Sequence, residues 1–482
     1  MQGTRIRLLL GGLLLASAGS NVQAEALQPD PAWQQGKLDN GFTWQLLTTP
    51  QRPNDRIELR LLVRTGSLAE NAQQQGFAHF LPRLALLHSE GFTTAQLHSF
   101  WQQVIDNQRP TSPAVTSYDF TSYNLSLPNG RPDLLKSALS WMVSTTEKMV
   151  ITPESVHAAY QAPQDAIDSV PADSQDLWWR YRISGSTLVG HGPDLLPAKP
   201  AKAADLSKFY HQWYTPDAMT LYVVGNVDSR AMAEQINKAF SGLKGRRETP
   251  QTVPTLVDVP AKSMSMFDPA ISQDRLSLMW SMPWQPIQDS AALSAYWRSD
   301  LAREALFLHL QQGLKTSTED KEGSAGKPAL GFDCHVQYQH AQCAIRMEAP
   351  QEALQPALKR LASELVKVRD SGLSQAEFDT LIARKKEQLS QLFATYARTD
   401  TGVLMSQRLR SQQNAVVDIA PEQYQKLRQE FLTTLTLPEF NQELKQQLSH
   451  APSLLLIQPK GESELGVKTL QDTYDAVVGS AQ

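Results

Sequence analysis

Phe209-Tyr210-His211-Gln212-Trp213-Tyr214-Thr215-Pro216-Asp217-Ala218-Met219-Thr220-Leu221-Tyr222-Val223-Val224-Gly225-Asn226-Val227-Asp228 spans the end of one helix, a strongly apolar strand and the approach to another helix. Helix is expected over 203–213, strand over 219–224 and helix again over 229–240. Upstream, 42–48 and 56–63 are dominated by β-formers and read as strands. Helices are expected over 76–87 and 94–104, and strands over 114–118 and 122–127. A helix over 132–148 places Leu134, Leu135, Ala138, Leu139 and Met142 on one face. Two more helices, 153–167 and 173–182, precede a Gly- and Pro-rich loop over 185–200. Downstream, KGRRETPQTVPTLVDVPAK over 244–262 is polar with three prolines, and 246–262 reads as a linker. The second half then repeats the plan, with strand at 275–281, helix at 290–312, strands around Cys334 and Cys343, helices over 351–449 and a strand at 453–457. A polar stretch over 315–327 reads as a mobile loop. Strands and helices mix without regular βαβ alternation. The expected class is α+β, with two similar domains (25–245 and 263–482), each a mainly antiparallel sheet with helices packed on it.

The chain has 482 residues, 41% hydrophobic and 20% charged, enough for two or three ordinary domains. Its formal charge is -4 and no basic stripe stands out, so nucleic acid is not an expected partner. Residues 1–24 read as a secretory signal peptide. Arg5 and Arg7 form the positive start, Leu8 to Ala16 the apolar core, and Val22-Gln23-Ala24 the cleavage pattern. That core is well short of the roughly 20 apolar residues a spanning helix needs, and no later stretch is long and apolar enough. Cleavage after Ala24 would remove two arginines, leaving -4 − 2 = -6, and would deliver the protein to the periplasm. In that oxidising compartment Cys334 and Cys343 are expected to form a disulfide across a tight hairpin of 336–338 and 341–345, rather than a metal site with His340.

Several short motifs together resemble the pitrilysin/insulinase family of zinc metallopeptidases. They are Leu38-Asp39-Asn40-Gly41-Phe42; Gly66-Ser67 with Glu70; Gly76-Phe77-Ala78-His79-Phe80-Leu81; Val115-Thr116-Ser117-Tyr118-Asp119 with Thr121 and Tyr123; and the 209–228 block. The resemblance implies a helix bearing His-x-x-Glu-His. Two histidines four apart share a helix face and reach one metal, while the glutamate acts as base on zinc-bound water. Here the five residues are His79-Phe80-Leu81-Pro82-Arg83. His79 holds the first ligand position. Pro82 replaces the base, and Arg83, a permanent cation, replaces the second histidine. The family's third ligand, a glutamate, has no counterpart in Tyr160 to Val170, where Gln164 and Asp165 are the nearest candidates. Catalytic zinc normally takes three protein ligands and a water, so neither a bound zinc nor catalytic residues are expected. The family's substrate-binding Arg and Tyr of the second domain find no match around His309-Leu310-Gln311-Gln312-Gly313-Leu314.

The resemblance also implies that Val115, Thr116, Ser117 and Tyr118 form a strand whose edge pairs with extended substrate, which makes them peptide-binding candidates. His79 alone reads as a packed or hydrogen-bonded helix residue, and His88 and His98 as surface or helix-face residues. Trp178-Trp179-Arg180-Tyr181 reads as aromatic core rather than a binding platform, and Asp165 and Asp168 as solvated helix-end charges. The expectation is a degenerate, non-catalytic homologue that binds unfolded or extended peptides or a partner peptidase-like subunit. The alternatives are an active zinc endopeptidase with an atypical site and a structural envelope protein.

Overall fold

The computed structural model describes residues 24–50, 55–162, 168–169, 176–316, 328–396, 398–459 and 465–479. In the first half the strands are β1 (Trp33–Lys37), β2 (Thr43–Thr48), β3 (Arg56–Val63), β4 (Ala114–Thr116), β5 (Thr121–Pro128), β6 (Asp168–Ser169) and β7 (Met219–Gly225). Its helices are α1 (Phe77–Leu87), α2 (Thr94–Val104), α3 (Pro132–Glu147), α4 (Pro153–Gln161), α5 (Leu177–Arg182), α6 (Ala203–Trp213) and α7 (Ser229–Phe240). The second half holds β8 (Met264–Phe267), β9 (Asp274–Met282), β10 (Ala329–Gln337), β11 (His340–Ala349) and β12 (Ser453–Gln458). Its helices are α8 (Ser290–Thr316), α9 (Gln351–Ser371), α10 (Gln375–Tyr396), α11 (Thr401–Gln413), α12 (Pro421–Thr434), α13 (Leu437–Gln447) and α14 (Val467–Gly479). Among the described residues no helix is long and apolar enough to cross a membrane. The signal peptide, apart from Ala24, and residues 317–327 of the polar stretch lie outside the described residues; Lys315 and Thr316 extend α8.

The two sheets reveal the duplication. The first runs β1-β2-β7-β3-β5-β4-β6 and the second β10-β11-β9-β12-β8. Read from its other edge, the second is β8-β12-β9-β11-β10, which superposes in order on β2-β7-β3-β5-β4. The pair directions agree as well. β2–β7 and β8–β12 are parallel, and the next three pairs in each sheet are antiparallel. Only β1 and β6, one on each edge of the first sheet, break the match. The α+β class with two similar domains is the observed architecture.

Strand β3 explains why its sequence alternates poorly. Ile57, Leu59, Leu61 and Val63 join the core beneath α1, α2, α3, α4, α6 and α7. The opposite face is also covered. Helix α11 of the second half lies on it, with Leu404 and Met405 packed against Leu47, Tyr222 and Val224. A strand buried on both faces needs apolar residues at both phases. The polar exceptions are Glu58 and Arg60, which are buried and joined by a 2.8 Å ion pair.

Contacts between the halves are extensive. Leu27, expected from sequence in the first domain (25–245), is buried in the second domain's core, and its N–H donates to the Gln288 carbonyl. Helix α5 sits between the domains. Trp179 packs with Tyr118 and Leu256, while Tyr181 packs with Met279 and Leu455. Trp179 and Tyr181 are therefore core, Trp178 is half-buried against them and Arg180 is exposed. The expected linker has no helix or strand but is pinned, since Arg182 donates to the Val257 carbonyl at 2.8 Å.

Cys334 and Cys343 are register partners on β10 and β11, with Cα atoms 4.1 Å apart, and are bonded. The hairpin is longer than 336–345 and turns through Tyr338 and Gln339, both at positive φ, the geometry of a two-residue loop that follows strand twist. The bridge closes a separation of 9 residues, so replacing both cysteines with serine should cost about 2–3 kcal/mol in urea unfolding. Intact mass without reductant should show the pair two hydrogens lighter; full labelling by a thiol reagent would refute the bridge.

Candidate functional site

Helix α1 begins at a glycine for steric reasons. Gly76 has φ 90, and a Cβ there would fall 2.6 Å from the Leu196 carbonyl carbon. Its exposed N–H groups are met by Glu70, whose carboxylate accepts from Gly76 N at 2.9 Å and Ala78 N at 2.7 Å. The Gly-Ser…Glu motif is thus a cap for this helix. Gly66 is held to the 117–119 turn, where its Cβ would meet the Ser117 carbonyl at 2.2 Å.

Glu70 is buried, and burial lifts its pKa from an ordinary 4.5 to about 7; the Ala78 and Gly76 N–H groups and the charge of His79 pull the other way without prevailing. The folded state therefore holds this proton more tightly than the unfolded chain does. The stability it contributes is full below about pH 4.5 and is lost as pH rises through about 7. Compared with Glu70→Gln, the wild type should lose unfolding free energy across that window. A difference that stays flat with pH would show that Glu70 titrates as an ordinary carboxylate.

The helix continues through Pro82, which lies inside it. His79 is half-buried and lies in the electrostatic neighbourhood of Glu70. One helical turn on, Arg83 is buried, with its guanidinium turned to the end of α4. Its Nε donates to the Ala159 carbonyl at 2.8 Å, and an Nη donates to the Ala162 carbonyl. Those carbonyls are among the last of α4, which lack partners within the helix and carry its negative pole. Position 83 is thus occupied by a cation serving as a helix cap. The Arg83 guanidinium offers no lone pair to a metal ion and carries a permanent positive charge. Among the described residues no three His, Cys, Asp or Glu side chains converge as metal ligands. Gln164 and Asp165 lie outside the described residues. Asp168 is in β6 and not at a helix end, because α4 stops at Gln161. His88 is half-buried, which lowers its pKa by desolvation, and His98 is exposed. His309 hydrogen-bonds Glu364 and Glu377.

The peptide-binding candidates are placed differently from the expectation. Thr116, Ser117 and Tyr118 are buried; Val115 is half-buried. Only 114–116 is strand. Its outer edge is paired in parallel with β6 at Ala114 and Val115. The Ser117 and Tyr118 carbonyls accept from the Ser67 and Leu68 N–H groups. Tyr118 Oη accepts from the Trp179 indole at 2.8 Å, and Ser117 Oγ lies 3.2 Å from Tyr338 Oη across the domain boundary. The hydrogen-bonding edge that a guest strand would use is therefore engaged by the chain itself. The open space lies elsewhere. Two cavities of about 440 and 670 Å³ adjoin along the outer face of the first sheet beneath α11 and share Leu62, Phe120, Leu409 and Gln413. Val115 lines the first of them, with Arg60, Asn124 and Val403.

Comparison with known proteins agrees with this architecture. Residues 46–184 match the model described as insulinase (peptidase family M16), and residues 200–385 match the peptidase M16 inactive domain. The chain is 57% identical over 478 residues to protein YhjJ of Escherichia coli (strain K12), covering 99% of this chain and 95% of that one. It is 60% identical to a solved protein from Yersinia pestis described as a predicted insulinase family protease, with a TM-score of 0.90 over 98% of this chain and 100% of the other. The periplasmic protease PqqL from Escherichia coli, at 21% identity, shares the fold with a TM-score of 0.75, and the match covers 93% of this chain and 50% of PqqL. With its duplicated sheets and these matches, the chain belongs to the insulinase family of peptidases, M16.

Proposed function

We propose that this protein is a non-catalytic member of its family that acts in the periplasm by binding extended protein segments. The observation that carries the reading is Arg83, a buried guanidinium engaged with two carbonyls of α4 at the place of a zinc ligand. Pro82, beside it, has no proton acceptor to replace the family's glutamate. With no metal to tie α1 to α4, the guanidinium supplies the tie. The binding half of the proposal rests on the cleft beneath α11, which offers apolar Leu62, Phe120, Val403 and Leu409 alongside polar Arg60 and Asn124. That mixture suits a segment with alternating side chains. The segment lies against side chains and not along the β4 edge.

The test uses protein purified from the periplasmic fraction. N-terminal sequencing should read from Glu25, and metal analysis after dialysis should find no stoichiometric zinc. A broad library of unfolded peptides of roughly 10–20 residues should include binders in fluorescence polarisation that Val403→Glu weakens. Chelator-sensitive hydrolysis of a quenched peptide by the unmodified protein would overturn the non-catalytic reading. A library without binders would overturn peptide binding and favour a partner subunit or a structural role.

A further inference from the structure

Strand β8 is the counterpart of β2 in the matched strand orders. In the first sheet the outer edge of β2 is covered by β1, through five antiparallel register pairs from Trp33↔Leu47 to Lys37↔Thr43. Among the described residues β8 has no such neighbour and pairs only with β12. Asp268 N donates to the Gln458 carbonyl at 2.8 Å, which fixes the phase of this parallel ladder. In a parallel pair, alternate residues of a strand turn both main-chain groups to the same neighbour. Met264 and Met266, in phase with Asp268, therefore serve β12. The N–H and C=O groups of Ser265 and Phe267 point away from the sheet, and no described residue hydrogen-bonds them.

The edge also presents apolar surface: Phe267 is 53% and Met264 36% exposed. Met266 packs against Tyr181, Met279 and Leu455, so Met264 and Met266 lie on the α5 face of the edge. An unpaired edge of this kind is a template for an added strand. The sequence across it, Lys262-Ser263-Met264-Ser265-Met266-Phe267-Asp268, indicates which strand. Laid antiparallel against itself with Ser265 on a two-fold axis, it sets Lys262 opposite Asp268 and Met264 opposite Met266, each twice. Lys262 is exposed and Asp268 half-buried. Opposite charges and apolar pairs directly across a ladder are both stabilising. Moving the axis to Met266 instead sets Met264 opposite Asp268 and Ser263 opposite Pro269, which has no N–H to donate. Charge and hydrogen bonding thus select one register.

We propose that β8 is a self-association edge, on which a second copy of this chain adds its own β8 antiparallel across a two-fold axis at Ser265. The two five-stranded sheets then join edge to edge, and the isologous contact closes on itself as a dimer. The added strand takes the place beside β8 that β1 takes beside β2. β8 lines no part of the cleft beneath α11, so the inference stands whether or not the proposed function does.

The strand is 4 residues long, so the interface is at the small end of specific contacts and dimer should accumulate in the micromolar range. Sedimentation velocity of the full chain from low to high micromolar concentration should show the average mass rising from one chain toward two. Phe267→Pro removes a donor that β12 does not use, and two hydrogen bonds per dimer, so it should weaken association at least about tenfold. Lys262→Glu turns two attractive pairs repulsive and should weaken it about tenfold. If one variant misfolds by circular dichroism, the other carries the comparison. Cross-linking reads the register. Cys334 and Cys343 are bonded to each other, so an introduced cysteine is the free thiol. Met264→Cys and Met266→Cys chains, mixed and oxidised, should form a covalent dimer faster than either alone. The proposal is overturned if the chain stays monomeric throughout, if a folded variant associates undiminished, or if cross-linking does not favour the mixture.

Discussion

Arg83→Met is expected to destabilise the chain by about 2–5 kcal/mol, the cost of removing a buried charged donor and leaving its acceptors unpaired. Methionine matches the aliphatic stem, so little packing volume is lost and the change isolates the guanidinium. The carbonyls of Ala159 and Ala162 then face a thioether, which cannot donate. Their position at the end of α4 adds the loss of a cation at the helix's negative pole. Arg83→Lys should recover only part of the deficit, because one ammonium on a flexible stem does not reproduce a planar fork. Urea unfolding of the three proteins measures the series. A loss below about 1 kcal/mol in the methionine variant would show that the guanidinium contributes no more than an ordinary hydrogen bond. Hydrogen exchange would locate the effect: amides of α4 should lose protection before those of β3 and β7, which are buried on both faces.

The same residue shows what could and could not be read from the sequence. That position 83 cannot ligate zinc follows from side-chain chemistry alone. What it does instead depends on acceptors 76 and 79 residues away, which local pattern does not connect to it. Helices with a clean period were legible to the residue, as with 94–104, 203–213 and 229–240, and the strand 56–63 was legible from its β-formers despite poor alternation. The helix expected over 153–167 was too long for a local reason. Ala162 precedes Pro163 and is extended, with φ -63 and ψ 145, because the residue before proline is pushed out of the helical region. The short edge strands β1, β6 and β8 carry too few residues to show alternation. At the site, a strand was expected over 114–118 and is found at 114–116, and what pairs with its edge was not legible. The segments that engage it, 67–68 and 168–169, are brought there only by the tertiary fold. Glu70 stood out as a motif residue, yet its capping role depends on the geometry of Gly76.

Restoring the family motif with Pro82→Glu and Arg83→His should produce a protein that binds zinc weakly and hydrolyses peptide little or not at all. The pair places histidines at 79 and 83 on one face of α1, adds a carboxylate base between them and removes the repelling charge. It also removes the α4 cap, because neutral imidazole offers at most one donor where the guanidinium now serves two carbonyls. The apo double variant should therefore be less stable than the wild type despite losing a proline from a helix interior. Zinc should recover part of that loss, since a ligand that binds only the folded state stabilises it in proportion to the logarithm of its concentration over Kd. The Arg83 contacts also indicate where a third ligand belongs. The Ala162 backbone lies within hydrogen-bond reach of the position-83 side chain, so Ala162→Glu brings a carboxylate to the same neighbourhood. The triple variant should hold zinc more tightly than the double one, with three protein ligands leaving a fourth position for water. Thermal melts with and without zinc, metal analysis after dialysis and a fluorogenic peptide assay separate these steps. If the double variant retains no zinc and the triple variant gains none, α1 and the end of α4 no longer keep the spacing of a metal site, and Arg83 marks a change of backbone geometry as well as of side chain.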